Sequence, residues 1–473
     1  MPGSGLSAIE HVVVLMLENR SFDHMLGFLY SDTGNVSPTT GQPFEGLTGT
    51  ESNPDGSGNP VTVFKIEPTT PNAYFMPGAD PGEGYMATNS QLYGNISGPS
   101  GSGQVPAMQG FVKDFAYTLG WEAHAKGYKI VPGTTAADIM GCFTPEALPV
   151  LSALARGYAV CDHWFSSVPT ETLPNRAFAN AATSQGHMDD KTHTFTSPSI
   201  FGRLSQRGLN WAIYGYTAEP LTKSDFTDIV GVPASHFGVF TDFQAAAAAG
   251  TLPPYTFLEP NWDPSGNSQH PNYNVALGEQ LIYDVYEALR GGPGWPQTLL
   301  VITYDEHGGC YDHVPPPWSA NPPDNNAGEF GFGFSRFGVR VPTVLVSPLI
   351  TAGTVFRVPS GSIPLDHTSI LKTVEERWDL APLSARDAVA PGLGDVLSLA
   401  APRNDDVLAG VIVPTATAAG PSAGLPSHLQ EVQAELISRR YPAGQSGIPG
   451  AAQPAFTETS LRSYIHEHAG PQQ

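Results

Sequence analysis

Two apolar stretches of the chain end in oxygen-bearing side chains. His11–Leu17 (HVVVLML) runs into Glu18 and Asn19, and Thr298–Tyr304 (TLLVITY) runs into Asp305 and Glu306. Carboxylate and amide oxygens ligate hard or borderline divalent cations. Two neighbouring strands that end this way could therefore gather four donors at one point. A single glutamate in such a place is better read as a cap or a surface ion pair; the repetition weakens that reading. A third stretch, residues 167–176 (SVPTETLPNR), carries hydroxyls at Thr170 and Thr172 just before a helix-like opening at Asn175. A hydroxyl at a helix N-terminus is placed to attack phosphorus, with amides and a cation taking up the charge. On spacing alone, the commoner role of an N-cap threonine is favoured.

Histidine supplies the other candidate chemistry. Of 14 histidines, His270 lies in a loop (NSQHPNYN), His307 and His313 flank the Gly308–Gly309 turn, and His367 follows Asp366 at an expected helix start. Each could protonate a leaving group or bind phosphate. His270 and the 307/313 pair stand out; most of the others are read as structural or exposed.

These residues need a scaffold. Apolar runs at 11–17, 210–216, 298–304 and 342–349 read as short buried strands of a parallel sheet covered on both faces. Helical patterns at 145–155, 274–289 and 366–377 alternate with them, the last with Asp366 as its expected N-cap. Alternating strands and helices predict an α/β sandwich with a mostly parallel central sheet. In such sheets ligands bind beyond the carboxyl ends of the strands, where Glu18–Asn19 and Asp305–Glu306 fall. Residues 31–110, rich in Gly, Pro, Ser, Asn and Thr, read as a long loop-rich insertion over the site. Residues 1–400 are expected to form the catalytic domain. Residues 401–473 form an Ala/Gly/Pro-rich extension with a short helix at 428–440 and a tail beyond Tyr441 that is expected to be mobile.

Composition narrows the function further. The formal net charge is -22 over 473 residues, which repels phosphate backbones and argues against a nucleic-acid partner. Three cysteines without a CxxC pattern do not indicate a disulfide framework. No secretory signal is visible, and no run reaches the roughly 18 apolar residues of a membrane helix. A cytoplasmic protein, or one exported by a signal-independent route, is expected.

Together, HVVVLMLENRSFDHMLG (11–27), SVPTETLPNR (167–176) and ITYDEHGGCYDHVPPP (302–317) resemble the phosphoesterase family of bacterial phosphatidylcholine-preferring phospholipases C, plant non-specific phospholipases C and related acid phosphatases. The resemblance spans roughly residues 9 to 380, and three ordered long motifs are far more specific than one short pattern. It implies a three-layer α/β/α sandwich of the alkaline-phosphatase type. It implies a divalent cation (Ca, Mg, Mn or Zn) held by Glu18, Asn19, Thr172, Asp305 and Glu306. Thr172 would be the nucleophile, His270 the phosphoryl contact or leaving-group acid, and Asn175 and His313 neighbours of the substrate. Many relatives carry D-P-x-H in the insertion; here the stretch is Asp80-Pro81-Gly82-Glu83, so Glu83 stands where the histidine would approach phosphate. The implied activity is phospholipase C-type cleavage of glycerophospholipids through a phosphothreonine, with a broad acid phosphatase as the alternative. Membrane contact would be at most peripheral. Phe22, Phe75, Tyr85 and Trp318 are candidate apolar lining.

Overall fold

An eight-stranded sheet forms the centre of the computed structural model, which describes residues 5–124, 130–217, 219–415 and 426–440. Its strands are β1 (His11–Leu17), β2 (Ala159–Val160), β3 (Trp211–Gly215), β4 (Phe237–Val239), β5 (Tyr255–Leu258), β6 (Thr298–Tyr304), β7 (Thr343–Val346) and β8 (Thr354–Val355). Their spatial order is β8-β2-β7-β6-β1-β5-β3-β4. All neighbours pair in parallel except β7, which runs antiparallel to both β6 and β2. The expected strand at 342–349 thus exists but is shorter and reversed. A continuous apolar run says that both faces are buried; it does not say which way the strand points.

Nine helices of seven or more residues are found among the described residues. They are α1 (Tyr85–Tyr93), α2 (Phe111–Glu122), α3 (Pro149–Gly157), α4 (Thr172–Ala181), α5 (Ile200–Gln206), α6 (Phe240–Ala249), α7 (Val275–Gly291), α8 (Thr368–Trp378) and α9 (His428–Arg440). The connections β4–α6–β5 and β5–α7–β6 move one way across the sheet, and β2–α4–α5–β3 moves the other way. Right-handed crossovers in opposite directions put their helices on opposite faces. The contacts agree: α7 packs with α6 and α3, while α4 packs with α5 and α8. Two helical layers around a sheet explain why β6 is buried at every position and β1 at every position after His11.

The register positions the chemistry. His11 pairs with Thr298 and Leu17 with Tyr304, so β1 and β6 end level. Glu18–Asn19 and Asp305–Glu306 therefore leave the sheet side by side. Helix α4 begins at Thr172, three residues before the expected opening at Asn175. Pro174 is tolerated because its missing N–H lies in the first turn. Asp366 is not the N-cap of α8: it lies in a two-residue strand, and His367 holds the cap position. Its carboxylate still accepts from the Thr368 amide at 3.1 Å.

The insertion is more ordered than its composition suggests. It holds three short strands and α1, and together with α2 it encloses a second cluster including Phe28, Leu47, Leu92, Phe111 and Phe115. Helix α9 packs Leu429, Val432 and Leu436 against Leu173, Leu221 and Trp262. The tail beyond Tyr441 lies outside the described residues. The three cysteines are buried and unpaired. Among the described residues no helix is long and apolar enough to cross a membrane.

Candidate active site

Glu18 and Asn19 turn out of β1 into a cavity of about 1070 Å³. Asn19 adopts a left-handed backbone with φ of 53°, a conformation that asparagine tolerates better than most residues. That turn aims its amide N–H at Asp305 Oδ1 (3.0 Å) and its side chain into the cavity. The side-chain amide then divides its work. Nδ2 donates to Glu83 Oε1 at 2.8 Å, and Oδ1 accepts from Thr172 Oγ1 at 3.1 Å. One residue thus ties the first strand end to the insertion and to the start of α4.

Gly308 makes this approach possible. Its φ is +60°, and a Cβ there would lie 2.0 Å from the Asn19 carbonyl oxygen. The glycine pair after Glu306 therefore answers a close backbone contact as well as a turn.

Asp305 and Glu306 play different parts. Asp305 Oδ2 accepts from Arg176 Nε at 2.9 Å, and Oδ1 accepts from the amides of Asn19 and Glu306. Both its oxygens are engaged, which makes it a brace between β1, β6 and α4. Arg176 also donates to the Met16 and Leu17 carbonyls and stacks over Trp262. Glu306 is different: Oε2 accepts from the Gly308 amide, while buried Oε1 has no hydrogen-bond partner. An unpartnered buried carboxylate oxygen is costly unless a cation or proton meets it.

His270 reaches the cavity from the loop after β5. Its Nε2 lies 3.5 Å from Glu83 Oε1 and 3.8 Å from Asp80 Oδ1. Arg20 holds that loop from behind, donating to the carbonyls of Gln269 (2.6 Å) and His270 (3.0 Å). Asp80, Glu83 and His270 form a second group of converging donors on the cavity wall.

Two acidic residues join the site without having been expected there. Glu171 precedes Thr172, and Asp190 Oδ1 accepts from the Leu173 amide at 2.6 Å. Glu171 is visible within the PTETLPNR motif only as a neighbour of Thr172. Asp190 has no local signal, because its loop reads as ordinary surface sequence. The crowding of carboxylates shows in their proton affinities. Burial, with Asp190 close by, pushes Glu171 up to about 8. Burial raises Glu18 to about 7, helped by Asp305 and opposed by His270. Burial, and then Asp80 and Glu306, hold Glu83 well above the usual carboxylate range. Burial and Asp305 do the same to Glu306.

Asn175, His313 and His307 lie elsewhere. Asn175 accepts from the Val168 amide and donates to the carbonyls of Val168, Thr170 and Glu171. It shapes the loop that delivers Thr172 and does not line the cavity. His313, implied as a neighbour of the substrate, belongs with Asp312 to a separate network: His313 Nδ1 lies 2.6 Å from Asp23, and Arg340 bridges Asp23 and Asp312. His307 is buried against Gln91, and burial takes its pKa down to about 3. Of the four aromatic candidates, Tyr85 alone lines the cavity; Phe22 is a core residue under Arg340.

The outer cavity is apolar. Met86, Ile96, Tyr117, Trp121 and Phe330 all line it, and all five are at least half exposed. Ser427, His428 and Leu429 at the start of α9 complete the opposite wall.

Residues 9–381 match the model of the Phosphoesterase family. The chain is 39% identical over 418 residues to non-specific phospholipase C6 of Arabidopsis thaliana, covering 84% of this chain and 74% of that protein. It is 27% identical over 448 residues to phospholipase C A of Mycobacterium tuberculosis, covering 84% of this chain and 79% of that protein. Among solved structures it is similar to a putative sulfatase from Bacteroides thetaiotaomicron, at 13% identity and a TM-score of 0.34, covering 53% of this chain and 69% of that one.

Proposed function

The chain belongs to the phosphoesterase family and is a phosphoric ester hydrolase; from that premise we propose that it is a divalent-cation-dependent phospholipase C acting on phosphatidylcholine-like diesters. The cavity lining carries this reading. Glu18, Asp80, Glu83, Glu171 and Asp190 face it, with Lys113 and Lys191 as its lysines, and its mouth is apolar. A phosphomonoester dianion meets more repulsion in such a cavity than a diester monoanion does. A cationic head group is welcomed by the carboxylates and by Tyr85, which can face a quaternary ammonium. The apolar mouth suits acyl chains, for which a small hydrophilic monoester has no use.

The donor set fits a hard divalent cation. Glu18, Asn19 Oδ1, Thr172 Oγ1 and Glu306 Oε1 are all oxygens, and the last lacks a partner. That chemistry suits calcium, magnesium or manganese and is compatible with zinc. Bound there, the ion would screen phosphate charge and ease deprotonation of the threonine hydroxyl. Asp305 would support the set through Asn19 and Arg176.

Thr172 Oγ1 then releases its proton to solvent and attacks phosphorus in line. A bond forms from Thr172 to phosphorus as the bond to the diacylglycerol oxygen breaks. His270 gives its proton to that leaving oxygen, its ring flanked by Glu83 Oε1 at 3.5 Å and Asp80 Oδ1 at 3.8 Å from Nε2. Water next attacks the phosphothreonine, returning the threonine hydroxyl and releasing the phosphorylated head group. Glu83 thus stands beside the acid.

The test compares p-nitrophenylphosphorylcholine with p-nitrophenyl phosphate, with and without EDTA, for the protein and for Thr172→Ala. Turnover of the choline diester that EDTA and the substitution both abolish is expected. Preference for the monoester would move the assignment to an acid phosphatase. Full activity of Thr172→Ala would remove the nucleophile assignment.

A further inference from the structure

His270 faces two carboxylates across a gap wider than an ordinary N–H···O hydrogen bond. Its Nε2 lies 3.5 Å from Glu83 Oε1 and 3.8 Å from Asp80 Oδ1. The other ring nitrogen, Nδ1, is 3.1 Å from the Pro271 carbonyl oxygen. A carbonyl only accepts, so Nδ1 carries a hydrogen, and Nε2 turns either a lone pair or a proton towards the carboxylates. Asp80 Oδ1 is enclosed and has no hydrogen-bond partner. Ligand atoms of the three side chains lie within 4.8 Å of one another. We propose that Asp80, Glu83 and His270 form a second metal site, which takes a borderline ion of the zinc class and, when filled, shuts off the leaving-group acid. The regulation rests on the phospholipase C reading; the binding site does not.

The donors suit one ion. Both separations are shorter than two bonds of roughly 2.0–2.2 Å laid end to end. A ligating imidazole gives its other N–H to a carbonyl or carboxylate, and His270 already does so to Pro271. One imidazole with two carboxylates suits zinc, with an open position for water, whereas calcium and magnesium prefer oxygen donors throughout. The all-oxygen set around Thr172 and this mixed set therefore differ in the ions they favour. Asn19 stands between them: its Oδ1 faces Thr172, and its Nδ2 donates to Glu83 Oε1 at 2.8 Å. Glu122 marks the same wall as a place for positive charge. It is 3% exposed, it lines the cavity, and neither of its carboxylate oxygens has a hydrogen-bond partner. Burial, and then the charge of Asp80, push it up to about 8.

The frame is held by protein atoms. Arg20 donates to the Gln269 and His270 carbonyls at 2.6 and 3.0 Å. Gln91 Nε2 donates to the Gly82 carbonyl at 2.6 Å, and Thr88 Oγ1 to the Glu83 carbonyl at 3.0 Å. The three side chains line the cavity and stay 15–28% exposed, which leaves an entry path. An ion on Nε2 takes the lone pair that the proton needs. His270 then has nothing to give the diacylglycerol oxygen, and the bond from that oxygen to phosphorus breaks slowly. Two other groups of converging donors in the described residues do not compete. Arg340 already fills the one formed by Asp23, Asp312 and His313. In the other, the rings of His187 and His193 are stacked 3.5 Å apart, which keeps their in-plane lone pairs from meeting at one ion.

The experiment first counts zinc. Purified full-length protein is stripped with EDTA, dialysed against zinc chloride and analysed by mass spectrometry of the metal, beside Asp80→Asn/Glu83→Gln and Asp80→Asn. Whatever the set around Thr172 holds, the double variant should hold one zinc ion fewer than the parent while its circular dichroism is unchanged. Cobalt in place of zinc should give a visible absorption band that the double variant lacks. Asp80→Asn, which has no hydrogen bond at Oδ1 to lose, should weaken zinc binding by about tenfold or more. Equal zinc content and equal cobalt spectra in parent and folded double variant would overturn the site. If the double variant fails to fold, unchanged zinc affinity in Asp80→Asn overturns it alone. Activity then tests the regulation. Added zinc should slow manganese-loaded protein on phosphatidylcholine vesicles, whose leaving alkoxide needs a proton. It should slow p-nitrophenylphosphorylcholine far less, because nitrophenolate leaves without one. Equal loss on both substrates, or a gain on either, would overturn the blocked acid. If neither ester is hydrolysed, the phospholipase C reading fails and takes the regulation with it, while the zinc count still decides the site.

Discussion

Asn175 spends its whole amide on backbone. Its three carbonyl partners and one amide partner lie between Val168 and Glu171, immediately before Thr172. Asn175→Ala should cost about 1–3 kcal/mol for the buried groups left unpaired. It should also lower kcat on the chromogenic diester far more than it changes KM, because it displaces the attacking oxygen and touches no substrate. Steady-state kinetics beside urea unfolding will separate the two effects. His313 makes a pH prediction. Burial of its ring opposes the charged form, but Asp23 at 2.6 Å outweighs burial and lifts the pKa from 6.5 to about 9. The folded value exceeds the unfolded one, so the stabilisation is complete below pH 6.5 and is lost as pH rises through about 9. His313→Gln should destabilise the protein by up to about 3 kcal/mol near pH 6 and by little near pH 10, read from urea midpoints. Glu18, Asn19, Thr172, His270 and Glu83, each named from the motifs, meet at one cavity. Asp312 and His313, from the same motif as Glu306, lie instead with Asp23 and Arg340, because adjacency in a motif does not say which way a side chain leaves the chain. Asp190 could not be read at all: its place depends on a loop returning across the start of α4.

The elements explain why strand ends were legible and loops were not. The bounds 11–17 and 298–304 coincide with β1 and β6 because an uninterrupted apolar run stops where burial stops. Strands β2 and β8 have two residues each, too few for any periodicity to register. Order within residues 31–110 escaped because its core is shared with α2 and comes together only in the folded chain. Helix packing offers a sharper test. Pro149 opens α3, and the next two amides, Val150 and Leu151, both donate to Glu279 of α7, at 2.6 and 3.1 Å. One buried carboxylate caps a neighbouring helix. Glu279→Ala should cost about 1–3 kcal/mol for each amide left unpaired. Glu279→Gln, with one acceptor oxygen, should cost less. Burial raises Glu279 from 4.5 to about 8 against the pull of the two amides. The wild-type carboxyl therefore stabilises the fold most at low pH and loses that advantage as pH rises through about 8. The deficit of Glu279→Gln should narrow over the same interval; a pH series of urea midpoints for the three proteins would show it.

At the scale of the whole molecule, two fields meet the substrate surface. One is long-ranged: 44 acidic against 22 basic residues leave a net charge of -22. The other is short-ranged: Met86, Ile96, Tyr117, Trp121 and Phe330 stand exposed around the cavity mouth. Charge is legible in composition, whereas the apolar ring is not, because its members come from α1, α2 and two separate loops. The two fields predict different behaviour on different lipid surfaces. An anionic vesicle repels the protein from a distance, and salt screens that repulsion with a length of roughly 10 Å at 0.1 M ionic strength. A zwitterionic vesicle offers no such barrier, so contact is decided by apolar burial at the mouth, which moderate salt barely changes. Hydrolysis of phosphatidylcholine vesicles should therefore vary little with salt, while hydrolysis of the same lipid diluted into phosphatidylserine should rise as salt is added. The double substitution Tyr117→Ala/Trp121→Ala should lower the rate on phosphatidylcholine vesicles, since burying each aromatic ring contributes about 1.5–3 kcal/mol. It should leave p-nitrophenylphosphorylcholine, which needs no surface, nearly untouched. An equal loss on both substrates would place these rings in head-group recognition inside the cavity; no loss on either would mean that the lipid approaches from another side.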